Sequence, residues 1–429
     1  MSRSRTRRFR WLALLAVVSL AVAIVAPSAG AGQKFPAVDQ PGVTDKEIHV
    51  GGVATISNDP TGNTLGDAFD GVEAYFKYID TTEGGVYGRK LMLSSKRDDA
   101  LANNKQEVQG LVSQDDLFAV LPVAVDLFSG ADSLVNEKVP TFGVDIQAEW
   151  GSEDNKPGPP NFFGQFGSFI CFNCAQPSTS VWLAKKLGLK RVGVLAFAIP
   201  QSKAACDGYL KSFKKYPVAK VVFSDSSLSF GQADYSAQVA QMKDAGVDYV
   251  ITCLDGNSTA TLAREMKKQG LDAIQALPNA YNHEFVQKNA EVLDGDYSFT
   301  PFTPFETKPK PAGLKLYEKW IKKTGGARNE HSLDGWLNAD LFVTGLKAAG
   351  PDFTRQKLVD AINKMKDYTA NGLLPGVDWS TAHQDGPDCY AITRIVNGQF
   401  KPVFGKPGKP FVCLPGTLAK IPANPEVKG

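Results

Sequence analysis

The pattern of apolar and polar positions between residues 48 and 99 predicts a strand, a helix and a second strand. A short alternating apolar run opens the segment and is followed by a polar loop at 58–64, as expected for a buried strand and its exit turn. Apolar residues then recur at steps of four and three, so they share one helix face: Leu65, Phe69, Val72, Phe76 and Ile79. Thr64 stands at the N-cap position, with Asp67 three residues on. The segment is a βαβ unit, and its first loop lies at the carboxyl end of a strand, where open α/β sheets bind ligands.

The same alternation continues along the chain and predicts two α/β lobes. Strand-like runs alternate with helix-period segments over 103–145 and again over 181–301, which indicates parallel sheets with helices on both faces. Three further helices are predicted over 312–365, and a hairpin over 390–403. A chain of 429 residues exceeds one ordinary core, so two lobes are expected.

Several stretches also resemble a known family. The motifs SxxPTGxxLG at 57–66, EAYFxYI at 73–79, EGGVYGRKL at 83–91 and EKVPTFG at 137–143 are similar, in this order, to the leucine/isoleucine/valine-binding family. Members of this branched-chain amino acid family are type I periplasmic solute-binding proteins that serve ABC importers. The resemblance implies an α/β fold of two lobes, each a doubly wound parallel sheet flanked by helices, joined by three hinge crossings.

The resemblance covers most of residues 44–405 and sets the expected domain boundaries. The first lobe is expected at 44–165 plus 302–380, and the second at 166–301 plus 387–405. The hairpin thus belongs to the second lobe. The remaining 406–429 is rich in Pro, Gly and Lys and is predicted to be an irregular tail.

Residues 1–31 have the composition of a secretory signal peptide. Five Arg and no acid lie in the first ten residues, an uncharged run follows over 11–26, and Ala29-Gly30-Ala31 is a small-x-small cleavage site. The uncharged run is short for a membrane span, although an uncleaved anchor is the alternative. No Cys precedes Cys171, so the lipobox of the family is absent. We expect an exported protein that is periplasmic, in the cell envelope or extracellular.

The charge balance gives no support for a nucleic-acid partner. The chain has 47 basic and 45 acidic side chains, and removal of the five Arg in 1–31 leaves 42 against 45, or about −3. A near-neutral surface of this kind has no basic stripe.

Six Cys in an exported chain predict up to three disulfides. Cys389 and Cys413 flank two strand-like runs and are the clearest pair. The other four allow three pairings, between which the sequence does not choose: Cys171, Cys174, Cys206 and Cys253. The CxxC at 171–174 also fits a redox motif, but the export signal favours structural bridges.

Candidate ligand-binding residues lie just past the carboxyl ends of the predicted parallel strands, where loops of both lobes face one another. In the first lobe they are Asp59, Thr64, Val123, Ala124, Asp126, Asp145, Gln147 and Trp150. In the second lobe they are Phe197, Asp255, Asn257, Asn279 and Tyr281. The three aromatic candidates either line the site or pack in the core, and solvated turns are the alternative for the others.

The candidates depart from the family pattern in ways that argue against a branched-chain amino acid. The turn at 123–126 is VAVD, apolar where the family has Ser or Thr to hold the ligand carboxylate. Asn279 stands where an acid would hold the ammonium, and a neutral amide cannot form that charge-assisted bond. Asp255 is a nearby substitute. Asp126 and Asp145 would repel an α-carboxylate. An amide, a polyol-like solute or an aromatic compound fits better.

No catalytic motif accompanies these residues. GxSxG, HExxH, the P-loop and GxGxxG are all absent, and the four His share no ligand spacing. We therefore expect no enzyme, no cofactor and no metal. The leading hypothesis is a monomeric solute-binding protein that delivers a small molecule to an ABC importer permease.

Two alternatives remain open. A ligand-sensing receptor module of the same fold is disfavoured because the sequence ends without a transmembrane helix or signalling domain. A secreted hydrolase using Asp126 and Asp145, or the CxxC, is disfavoured because no positioned nucleophile and base accompany them.

Overall fold

The structure, a computed structural model, describes residues 34–59, 61–62, 64–151, 157–167, 179–277, 281–384 and 389–414. The predicted signal peptide at 1–31 lies outside the described residues, as do Cys171, Cys174 and Asn279.

The amino-terminal segment builds a parallel sheet around the predicted βαβ unit. Its strands are β1 (Glu47–Ala54), β2 (Lys90–Asp98), β3 (Ala119–Ala124), β4 (Thr141–Gly143) and β5 (Phe162–Gly164). Its helices are α1 (Ala68–Thr82), α2 (Asn104–Ser113) and α3 (Ala131–Asn136). The strands lie in the order β2-β1-β3-β4-β5, and all four strand pairs are parallel.

The next segment repeats the alternation and begins a second sheet. Its strands are β6 (Arg191–Phe197), β7 (Lys220–Leu228), β8 (Tyr249–Cys253), β9 (Ile274–Leu277) and β10 (Tyr297–Thr300). Its helices are α4 (Thr179–Leu187), α5 (Pro200–Lys215), α6 (Ser236–Asp244), α7 (Gly256–Gln269), α8 (His283–Lys288) and α9 (Ala290–Leu293).

The chain then returns to the first sheet and crosses once more to the second. The returning helices are α10 (Ala312–Thr324), α11 (Glu330–Ala349) and α12 (Arg355–Ile362). The last strands are β11 (Cys389–Val396), β12 (Gln399–Val403) and β13 (Phe411–Cys413). The second sheet has the order β12-β11-β10-β9-β8-β6-β7, with β13 on β11. The predicted hairpin is thus confirmed as part of it.

Apolar clusters cover both faces of each sheet, which is the doubly wound arrangement that the resemblance implies. On the first sheet, α1, α10, α11 and α12 cover one face, and α2 and α3 the other. On the second sheet, α4 and α5 cover one face, and α6 and α7 the other. The two-lobed α/β fold is therefore confirmed. The second sheet adds an antiparallel edge, because β11 and β12 pair antiparallel.

Two disulfides join described residues of the second lobe. Cys389–Cys413 joins β11 to β13 and confirms the predicted pair. Cys206–Cys253 joins α5 to the end of β8. This bond pairs two of the four cysteines whose pairing the sequence left open. The predicted tail is not wholly irregular, because β13 lies within it. The disulfide holds Cys413 directly opposite Cys389, so that Phe411–Cys413 continues the ladder of β11.

Helices α1 and α11 approach closely because glycines stand at their contact points. A Cβ on Gly71 of α1 would fall inside the van der Waals radius of Ser332 O, and one on Gly335 of α11 would overlap Ala68 O. In both cases the obstacle is backbone, which cannot move aside as a flexible side chain does. The separation of the two helices therefore depends on these glycines.

Aromatic packing joins the two lobes beside the crossings. Tyr281, which follows β9, is buried, and its hydroxyl donates to Glu306 Oε2 at 2.7 Å and accepts from Phe305 N at 2.7 Å. Its ring packs on Phe400 of β12, with centroids 4.6 Å apart. These contacts hold the second lobe to the segment at 302–306 that returns to the first.

Asp296 is a buried acid just before β10. Its carboxyl group accepts from Gln275 N at 2.7 Å and from Gln275 Nε2 at 2.9 Å. Burial raises the pKa of Asp296 to about 8, although the bonds from Gln275 lower it. The folded protein thus keeps a proton that an unfolded chain, with a carboxyl pKa of about 3.9, has lost.

Replacing Gly71 with Ala is expected to destabilise the fold by roughly 1–3 kcal/mol or more, because α1 and α11 must separate. Gly256→Ala in α7 is the matched control, since its Cβ would meet the Phe285 ring at an ordinary 3.4 Å. Chemical denaturation of both variants measures the difference. Equal free energies of unfolding would contradict the close-packing argument.

Between about pH 6 and pH 9 the wild-type free energy of unfolding should fall by roughly 2–3 kcal/mol more than that of Asp296→Asn. The sign follows because the folded state holds the extra proton, so stability is lost as the pH rises through the folded-state pKa of Asp296. Denaturant titrations across this range measure the slopes. Asp272→Asn, an exposed acid of the same lobe, should keep the wild-type slope. Parallel curves for wild type and Asp296→Asn would refute the assignment.

Candidate functional site

In each sheet the strand order reverses at one point, and a hydroxyl side chain ties the two strand ends there. In the first sheet the reversal lies between β1 and β3. There Thr55 N donates to Ala124 O at 3.0 Å and Thr55 Oγ1 accepts from Asp126 N at 3.0 Å. In the second sheet it lies between β6 and β8, where Ser202 Oγ accepts from Phe197 N and donates to the last carbonyl of β8. Such reversal points are the usual ligand sites of open α/β sheets.

Asp126 at the first reversal point is paired with Asp59 from the loop after β1. The charge of Asp59 acts on Asp126, and two carboxylates side by side cannot satisfy each other because a carboxylate only accepts hydrogen bonds. Burial, the largest cause, and the charges of Asp59 and Asp99 raise the pKa of Asp126 to about 7, against the opposing charge of His331. Asp59 Oδ1 also accepts from Thr61 N at 2.7 Å. Asp126 is therefore a carboxyl group that changes charge near neutral pH.

A polar face of α11 lies against the ends of the central strands of the first sheet. His331 Nδ1 is 3.5 Å from Asp334 Oδ2. Burial lowers the pKa of His331, but the hydrogen bond to Asp334 and the charge of Glu330 outweigh it, so the pKa is raised. One turn further on, Asn338 Nδ2 donates to Gly143 O, the last carbonyl of β4, at 3.2 Å. The amino-terminal half of α11 is thereby fixed to the carboxyl edge of the sheet.

Asp145, two residues beyond β4, is buried next to this face. Its backbone N donates to Gln165 Oε1 at 3.0 Å. Burial raises the pKa of Asp145, and the charge of Asp334 raises it further. Burial also raises the pKa of Asp334. The two acids are thus in electrostatic contact and largely shielded from bulk solvent.

Five oxygen atoms at this edge are buried and have no hydrogen-bond partner among the described residues. They are Asp59 Oδ2, Asp126 Oδ2, Asp145 Oδ1, Asp334 Oδ1 and Asn338 Oδ1. We call these five residues the acceptor cluster. Buried polar groups in folded proteins are nearly always paired, and leaving one unpaired costs about 1–3 kcal/mol. The cluster therefore has unused capacity to accept hydrogen bonds.

The second lobe faces the first through the start of α7. Asp255 caps this helix, accepting from Ser258 N at 2.9 Å and from Ser258 Oγ at 2.7 Å, so its carboxylate is engaged locally. Asn257 Nδ2 reaches across to Thr61 O of the first lobe at 3.4 Å. The loops that follow β1 and β8 thus meet across the cleft.

Four first-lobe candidates present no side chain to the cleft. Val123 and Ala124 are fully buried, because β3 continues through both residues instead of ending before them. The Gln147 amide is used internally, donating to Val125 O and accepting from Trp150 Nε1 at 2.9 Å. Trp150 itself packs in the core on neighbouring rings.

Three other candidates also have different roles from those predicted. Phe197 is buried at the end of β6, and the exposed ring is Phe230, which packs on it at 5.1 Å. Tyr281 belongs to the aromatic contact between the lobes. Thr64 makes no side-chain cap bond to the helix, because its Oγ1 instead accepts from Asn329 Nδ2 at 3.1 Å. Neither aromatic candidate therefore lines the site.

The contribution of α11 was not anticipated from the sequence. Glu330, Asp334 and Asn338 recur at steps of four and share one face of a helix that is otherwise largely apolar and buried. The polar row is the signal present in the sequence, whereas the apolar spacing of the same helix predicts only packing within the first lobe.

The described residues contain neither a metal-binding cluster nor a membrane-spanning helix. No set of three or more His, Cys, Asp and Glu side chains there is arranged to hold a metal ion. None of the helices in that part of the chain combines the length and apolarity that a bilayer crossing requires.

Comparison with known proteins places the chain in a family. The sequence profile described as "Periplasmic binding protein" matches residues 47–399. No curated protein sequence matches the chain.

Solved structures share the fold at low sequence identity. A branched-chain amino acid ABC transporter protein from Thermus thermophilus with bound valine has a TM-score of 0.67 at 17% identity, covering 83% of this chain and 95% of its own. A fatty acid ABC transporter substrate-binding protein from Thermomonospora curvata has a TM-score of 0.68 at 17% identity, covering 88% and 95%. A solute-binding protein from R. palustris in complex with 4-hydroxybenzoate has a TM-score of 0.68 at 18% identity, covering 83% and 96%. The chain thus belongs to the periplasmic binding protein family and has the fold of its type I, branched-chain amino acid transporter members.

Proposed function

We propose that this protein is an extracytoplasmic solute-binding protein that captures a small molecule between its two lobes and delivers it to the permease of an ABC importer. The observation that carries the proposal is the meeting of the two strand-reversal points across one cleft, where Asn257 Nδ2 approaches Thr61 O. Each lobe contributes one face, so a ligand that touches both favours the closed arrangement.

The fixed contact beside the crossings supports a hinge. Tyr281 and its aromatic neighbours pack the lobes together on the crossing side, whereas on the cleft side the described residues are joined by the long bond of Asn257. A bond of this length contributes little, so opening at the cleft costs much less than separation at the crossings. Closure around a ligand then presents a surface that a permease distinguishes from the open form.

The ligand is not expected to be a standard branched-chain amino acid. An α-carboxylate placed at the first reversal point would meet the Asp59–Asp126 pair instead of hydroxyl groups, and the charges would repel. Amides and polar or aromatic small molecules avoid that repulsion. In the related structures, the bound molecules named are valine and 4-hydroxybenzoate, so the fold itself accepts different solutes.

Binding is a better account of the site than hydrolysis. Asp126 is paired with Asp59, and Asp145 is in electrostatic contact with Asp334, so the two acids first considered as a catalytic pair have separate partners. Export through the signal peptide at 1–31 and action as a monomer are parts of the proposal that rest on the sequence.

Asn257→Trp is expected to act as a wedge that keeps the lobes apart. The large side chain would occupy the space at Gly62, whose Cβ position lies 3.1 Å from Asn257 Nδ2. We expect a solute that compacts the wild type in small-angle scattering to leave the variant unchanged and to bind it at least about tenfold more weakly. A panel of amino acids, amides, aromatic acids and amines supplies the solutes.

Lys268→Trp at the other end of α7 is the matched control, because this side chain is exposed and remote from the cleft. It should retain both compaction and affinity. A solute that binds wild type and Asn257→Trp equally well, with no change in the radius of gyration of either, would refute capture by closure.

A further inference from the structure

Five of the six unpaired buried atoms of the described residues at the first reversal point are oxygens, and the sixth is His331 Nδ1, 3.5 Å from Asp334 Oδ2. Each of the five buried atoms of the acceptor cluster is an oxygen. Three of them belong to side chains that are nearly inaccessible, with Asp145 3%, Asp334 2% and Asn338 0% exposed. The hydrogen bond from Asn338 to the end of β4, together with the effect of Asp334 on Asp145, places these three side by side. They require hydrogen-bond donors that the described protein residues do not supply.

Large apolar side chains are exposed just past the carboxyl ends of strands in both lobes. Six such side chains are exposed among the described residues, and all but Met92 lie within three residues of the carboxyl end of a strand: Ile56, Leu127, Ile146, Ile199 and Phe230. Leu127 directly follows Asp126, and Ile146 directly follows Asp145. Apolar side chains exposed at the ligand-binding edge of a parallel sheet offer contact surface to an apolar group. Here it lies on both lobes.

We propose that the ligand is an organic cation with an N–H-rich head, an ammonium or amidinium group, that binds the acceptor cluster while an apolar body covers the exposed side chains. This inference rests on the proposed function and names the class of solute. A cationic head supplies several donors to carboxylate and amide oxygens, and its charge is complementary to the Asp59–Asp126 pair. A carboxylate supplies no donor and adds like charge.

The acids of the cluster then link binding to proton release. The charged groups that act on Asp126 come from three elements: Asp59 after β1, Asp99 after β2 and His331 of α11. A cation is bound best when Asp126 is ionised, so its binding near neutral pH displaces the proton that the acid pair holds. As the pH rises, His331 also loses its positive charge, which changes affinity in the same direction.

Three probes of one shape and different charge test the proposal: benzamidine, benzamide and benzoate. Isothermal titration of the full chain at about pH 8 is expected to show benzamidine binding at least about tenfold more tightly than benzamide, with no detectable heat from benzoate. Benzamidine affinity should fall on acidification to about pH 6, and titrations at that pH in two buffers of different ionisation enthalpy should show proton release with benzamidine but not with benzamide. If benzoate binds as tightly as benzamidine, or if benzamidine does not bind at about 1 mM, the proposal is wrong.

Asp126→Asn supplies the residue-level test. It preserves shape and removes the charge, so benzamidine should lose at least about tenfold in affinity and release fewer protons than with the wild type, while benzamide is unaffected. Asp272→Asn, in the exposed turn before β9, is the control and should match the wild type. If Asp126→Asn fails to fold, the wild-type probe series and its proton release still decide the question. Benzamidine that binds without compaction in scattering would support the cation class while refuting capture by closure, so the two proposals fail separately.

Discussion

The close contact between α1 and α11 is the constraint on which the site depends. Gly71 and Gly335 remove the side chains that would separate the two helices. At this distance the amino-terminal half of α11 reaches the carboxyl edge of the first sheet, where Asn338 bonds to the end of β4. The polar face of α11 and the loops after β1, β3 and β4 therefore become one surface, although more than 180 residues of sequence separate Asp145 from Asp334. A wider spacing would leave α11 in the core of the lobe but move its acids away from the strand ends.

This arrangement places unpaired oxygens inside the protein, which is costly for the fold. An unpaired buried acceptor destabilises by about 1–3 kcal/mol, and the acceptor cluster contains five. The raised pKa of Asp126, Asp145 and Asp334 shows one way in which the cost is reduced, because a protonated carboxyl group avoids an unpaired buried charge. Donors brought by a ligand would relieve the rest. Stability and binding are thus linked at the same atoms.

In both lobes a side-chain hydroxyl group fixes the strand ends at the reversal point. A hydroxyl group, Thr55 in the first lobe and Ser202 in the second, ties together the strand ends at the point where the strand order reverses. In the second lobe the disulfide Cys206–Cys253 reinforces that tie. The edges that face the cleft are therefore rigid, and movement is left to the crossings. Rigid faces joined by a narrow connection suit a protein whose two halves must close as bodies.

Local sequence patterns determined much of this protein. The periodicity of 48–99 predicted β1, α1 and β2, the alternation of strands and helices predicted two doubly wound lobes, and strand ends located Asp59, Asp126 and Asp145. These features follow from short-range spacing, which a single sequence displays directly. The burial of the Trp150, Tyr281 and Phe197 rings could not be predicted in the same way. An aromatic ring after a strand packs inward or outward according to neighbours that are distant in the chain. Only the tertiary structure decided that Asn329 would donate a hydrogen bond to the hydroxyl of Thr64 and that α11 would supply two of the five residues of the acceptor cluster, since both depend on how closely two helices approach.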